Sequence, residues 1–66
     1  MSATKIKVAR QKKGLSQFEL AEMLNTKSQA VCNWEKGRSI PSYSKLKKMS
    51  EILEEEIDYL LGETKY

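Results

Sequence analysis

The chain has no histidine, one cysteine (Cys32), one proline (Pro41), one tryptophan (Trp34) and only three glycines in 66 residues. A lone thiol cannot close an intramolecular disulfide, and without histidine it cannot build an ordinary zinc site, so no metal and no cofactor is expected. The same scarcity bears on catalysis. There is no imidazole to act as a base, no partner to activate the thiol, no glycine-rich phosphate loop and no carboxylate pair in an evident cleft. The sequence therefore predicts no enzyme and offers no catalytic residue. No apolar run approaches the length of a membrane span, and Met1-Ser2-Ala3-Thr4-Lys5-Ile6-Lys7 lacks the hydrophobic core of a secretion signal. The expectation is a cytoplasmic chain with neither membrane nor small-molecule partner.

What is present is a globular composition, 39% hydrophobic and 32% charged, at a length near the lower limit for folding on one core without staples. One domain, residues 1–66, is expected, with no linker. The net charge of +3 hides a division. Residues 1–48 hold eleven Lys and Arg against Glu19, Glu22 and Glu35, a net +8; residues 49–66 hold Lys65 against six acids, a net −5. Two poles of opposite sign favour approach to a polyanion in one orientation, although lysines that merely solvate helix faces would give the same count.

No stretch alternates polar and apolar residues with a period of two, so the expected class is all-α. Ser2 or Thr4 can cap a first helix carrying Ile6, Ala9 and Arg10 with Val8 beside them, and Gly14 suits the left-handed residue that closes it. Its basic character would also suit a membrane surface, but with so few apolar residues and no aromatic it makes a poor anchor. In Leu15-Ser16-Gln17-Phe18-Glu19-Leu20, Ser16 and Glu19 form a capping box and Leu15 with Leu20 a hydrophobic staple, so a second helix starts at Gln17. Leu20, Ala21 and Leu24 continue its apolar face, and Asn25 can take the left-handed turn that ends it. A third helix must follow within a few residues, and the small Ala21 lets the two pack closely. Gly37 ends it and Pro41 prevents its extension. Ser42 caps a fourth helix with Leu46, Met49, Ile52 and Leu53 as its stripe, and a last turn, Ile57-Asp58-Tyr59-Leu60-Leu61, closes at Gly62.

On the third helix Ala30, Val31 and Trp34 fall on one side, while Ser28, Gln29, Cys32 and Asn33 fall on the other. Gln and Asn amides pair a donor with an acceptor, matching N6 and N7 of adenine in the major groove. The free face is therefore suited to reading base edges, and Gln29 is the first choice for that role. A plain solvated polar face would have the same pattern. Trp34, Phe18 and the leucines read as core residues rather than as platforms for stacking single-stranded bases. Cys32, near the free face, reads as a small apolar contact or an exposed thiol.

Arg10, then Gly14-Leu15-Ser16-Gln17, Glu19-Leu20-Ala21, Glu35-Lys36-Gly37, Pro41-Ser42, and Leu46, Leu53, Asp58, Leu60 and Leu61 together resemble the lambdoid phage repressor and Cro family of helix-turn-helix proteins. The likeness runs from about Ile6 to Gly62. It implies a bundle of five short helices and a transcriptional regulator that binds a two-fold symmetric double-stranded DNA operator as a homodimer, its two reading helices about one DNA turn, near 34 Å, apart. It further implies that Lys27, Ser28, Gln29 and Asn33 face the bases, and that Gln17, Thr26 and Arg38 lie along the DNA backbone. Arg10 and Glu35 would pair inside the domain. Ile40 and the Tyr59–Leu61 region are the candidates for the dimer surface. The alternative class is a helix-turn-helix scaffold used chiefly to bind protein, as in some antitoxins and bridging factors.

The chain departs from that pattern at two turns. Asn25 and Lys27 stand where the family has glycine and a Ser or Thr cap, so the cap of the third helix is expected at Thr26 or Ser28. Glu54-Glu55-Glu56 replaces a Gly-hydrophobic-Ser turn, so the fourth helix either runs on or joins the fifth by a tighter turn.

Overall fold

The computed structural model describes residues 4–61. Five helices follow one another: α1 Thr4–Lys12, α2 Gln17–Met23, α3 Ser28–Glu35, α4 Tyr43–Leu53 and α5 Ile57–Leu61. There is no strand among the described residues, as the lack of period-two alternation predicts.

The first four helices each end at a left-handed residue. Gly14 (φ 72°), Asn25 (φ 59°), Gly37 (φ 78°) and Glu54 (φ 58°) follow α1, α2, α3 and α4 in turn. At each, the amide of the next residue reaches back to a carbonyl in the last turn. Leu15 donates to the Arg10 carbonyl at 3.1 Å, Thr26 to Ala21 at 2.9 Å, Arg38 to Asn33 at 2.9 Å and Glu55 to Ser50 at 3.1 Å. This satisfies carbonyls that the helix ends would otherwise leave unpaired. Glycine adopts the geometry freely and asparagine tolerates it, but glutamate does so at a cost in strain.

The starts obey local chemistry where the sequence supplies it. At α2 the Glu19 amide donates to Ser16 Oγ at 3.0 Å and the Ser16 amide to Glu19 Oε1 at 2.8 Å, closing the capping box. At α4 the Lys45 amide donates to Ser42 Oγ at 3.4 Å. Thr4 is the first residue of α1 rather than its cap; Ser2 and Gly62 lie outside the described residues.

The start of α3 differs from expectation. Lys27 occupies the cap position (φ −102°, ψ 151°) and no side chain caps the helix. Thr26 lies one residue before the cap, where its amide closes α2 on the Ala21 carbonyl, and Ser28 is already the first helical residue. At the other departure, α4 stops at Leu53 and a tight left-handed turn through Glu54 leads into α5.

The core joins Ile6 and Ala9 of α1, Leu20 and Ala21 of α2 with the following Leu24, Val31 and Trp34 of α3, Leu46, Met49 and Leu53 of α4, and Leu60 of α5. Phe18 is a correction: it is 60% exposed. It lies roughly 200° around α2 from Leu20, off the buried stripe. Leu60 is another, since at 0% exposure it belongs to the core and cannot face a second copy. Tyr59 carries the Lys5 ammonium 5.1 Å from its ring centroid.

Candidate nucleic-acid interface

A turn of four residues, Leu24 to Lys27, joins α2 to α3, and these two helices share the most extensive helix–helix contact of the fold. Ala21, 1% exposed, lies on the contacting side of α2; its single methyl group permits the close approach. Val31, Trp34 and Glu35 anchor α3 in the interior, while Ser28 and Gln29 are exposed and Cys32 and Asn33 half-buried. Thus the helix is fixed along one side and offers polar groups along the other. Lys27 and Arg38, just before and just after it, are exposed, and Thr26 is half-buried.

Beneath this surface lies a buried ionic junction. Arg10 Nε donates to Glu35 Oε2 at 2.6 Å and Arg10 Nη2 to Glu35 Oε1 at 3.2 Å, with the two residues 8% and 7% exposed. Arg10 Nη1 donates to the Leu15 carbonyl at 2.8 Å. Gln17 Nε2 adds a fourth bond, to Glu35 Oε1 at 2.9 Å. One guanidinium and one carboxylate therefore tie together α1, the turn after it, the first residue of α2 and the last residue of α3. The fork of the guanidinium suits such bidentate pairing. No buried side-chain nitrogen or oxygen among the described residues lacks a partner.

Nothing in the sequence points to the Gln17–Glu35 bond; the family likeness places Gln17 only along the DNA backbone. Residues 18 apart carry no local signal of contact. A second bond was within reach of the sequence: Gln29 Nε2 donates to Asn33 Oδ1 at 3.1 Å. Residues four apart on a helix are neighbours, and Gln–Asn pairs at that spacing bond readily. Among the described residues no group of three His, Cys, Asp or Glu side chains could hold a metal ion, and no helix is long and apolar enough to cross a membrane.

Two short helices at a close turn, the second with one side anchored and the other free, define a helix-turn-helix unit. Residues 6–60 match the model of the helix-turn-helix family, and the chain belongs to that family. It is also similar to the HTH-type transcriptional regulator ImmR of Bacillus subtilis, 40% identical over 58 residues, which are 88% of this chain and 46% of that protein. A second relative, from Aeropyrum pernix, is named "Putative HTH-type transcriptional regulatory protein"; it is 40% identical over 57 residues, 86% of this chain and 17% of the relative. The chain thus spans less than half the length of either.

Proposed function

We propose that this chain is a sequence-specific double-stranded DNA-binding transcriptional regulator of the lambdoid repressor and Cro kind, acting in the cytoplasm as a homodimer on a two-fold symmetric operator. The observation that carries the reading is the free face of α3, where Gln29 and Asn33 stand beside exposed Ser28 and Lys27. Both relatives are named as transcriptional regulators of the same helix-turn-helix type. Lys27, Ser28, Gln29 and Asn33 meet base edges, and Gln17, Thr26 and Arg38 meet the backbone. Phosphate contacts of the second kind fix register, whereas base contacts carry sequence preference. A second copy completes the site, and Ile40, 75% exposed in the loop after α3, is offered toward it. Regulation follows from occupancy, with no catalytic step.

Phe18 and Met23, 60% and 44% exposed on α2, favour a second reading in which the fold serves chiefly to bind another protein. Salt separates the two. Neutralising several phosphates releases counterions, so affinity for a duplex should fall steeply, with a log–log slope of about −0.9 per phosphate contact. Titrating binding to duplex DNA between low and near-physiological salt tests this. A steep slope is the expected result; weak, shallow binding would support the protein-binding scaffold.

A further inference from the structure

Gln29 and Asn33 are not two independent amides. The donor is Gln29 Nε2 and the acceptor Asn33 Oδ1, 3.1 Å apart on one exposed face of α3. A glutamine amide has two N–H donors and one carbonyl acceptor. The bond to Asn33 occupies one donor, which leaves Gln29 with one N–H and one C=O. In the major groove adenine presents an acceptor at N7 and a donor at N6, so both remaining groups find partners there. Guanine presents acceptors at N7 and O6, and the Gln29 carbonyl would then face O6 with no proton between them. A glutamine free of Asn33 could turn its NH₂ group toward either base.

We propose that Asn33 is a positioning residue that acts through Gln29: by taking one amide proton it confines Gln29 to adenine and sets the adenine-over-guanine preference at one base pair of each half-site. This rests on the DNA-reading function proposed above, and it gives Asn33 a role beyond its own base contact.

The test is selection of duplexes from a random pool by the parent chain and by Gln29→Ala, Asn33→Ala and Asn33→Asp. The column that loses its preference in Gln29→Ala is the column Gln29 reads. There the parent should favour adenine over guanine by about tenfold or more. Asn33→Ala should bring that ratio close to one, and because alanine suits a helix interior better than asparagine, helicity by circular dichroism should not fall. Asn33→Asp keeps an acceptor for Gln29 Nε2, so the ratio should survive although overall affinity drops near the phosphates. An unchanged ratio in Asn33→Ala, a loss confined to a different column, or a parent that favours guanine there would each overturn the proposal while leaving DNA reading in place. A parent chain that enriches no sequence would overturn the DNA-reading function itself.

Discussion

Glu35 serves two demands with one carboxylate. It neutralises Arg10 in the interior, and it accepts from Gln17 at the first residue of α2. Removing it leaves the Arg10 guanidinium buried without its counter-charge, and uncompensated buried charges cost about 3–5 kcal/mol. For 66 residues the whole folding free energy is on the order of 3–10 kcal/mol. Glu35→Ala should therefore melt far below the parent, whereas Glu22→Ala, which alters only an exposed side chain, should lie within about 0.5 kcal/mol of it. Thermal melts of the two variants decide; equal melting temperatures would contradict the buried-junction account. The pairing of Arg10 with Glu35 came into view in the sequence only through a family likeness, because nothing local links residues 25 apart. Gln17 shows the limit of that route: its place at the helix start is written in the capping box, its bond to Glu35 is not.

At the scale of elements, local chemistry made most of the fold legible. Ser16 and Glu19, Ser42, and the left-handed Gly14, Asn25 and Gly37 act within a few residues of themselves, and the helix ends fall where they predict. The start of α3 departs from local signals because it is set by the end of α2. The Thr26 amide is held by the end of α2, which leaves Thr26 one residue short of the cap, and Lys27 stands at the cap with no side-chain bond. Lys27→Ser supplies the missing acceptor and should stabilise the fold by about 1 kcal/mol while weakening binding to duplex DNA, a split that paired melting and affinity measurements read directly. Lower stability in that variant would contradict an uncapped α3. Glu54 offers a second site of strain. Its left-handed backbone costs roughly 1–2 kcal/mol, against a largely exposed pair of Lys13 Nζ with Glu54 Oε1 at 3.0 Å that is worth at most about 1 kcal/mol. Glu54→Gly should raise the melting temperature by several degrees for a domain of this size; a lowered one would show that the ion pair outweighs the strain.

For the molecule as a whole, charge is divided along the chain. The net +8 of residues 1–48 includes α3 with Lys27, Lys36 and Arg38 around it, and the net −5 of residues 49–66 lies at the other end of the chain. Lys12 and Lys13 at the end of α1 lie beside Glu55 and Glu54, at 3.9 and 3.0 Å, so the acidic turn is partly matched from within. The fold class was legible throughout, since five amphipathic stretches and four turns leave little choice of architecture. Which apolar residues stay outside was less so: Phe18 reads as core by type and is exposed by its angle on α2, and Leu60, in the stretch that reads as a dimer surface, lies inside. The central claim is that α3 reads DNA, in two copies related by a two-fold axis. Its most direct test is selection of the parent chain's preferred sites from random duplex DNA at near-physiological salt. The account predicts an enriched palindrome with half-site centres about ten base pairs apart, one helical turn. Retention that is salt-sensitive but enriches no sequence would contradict it.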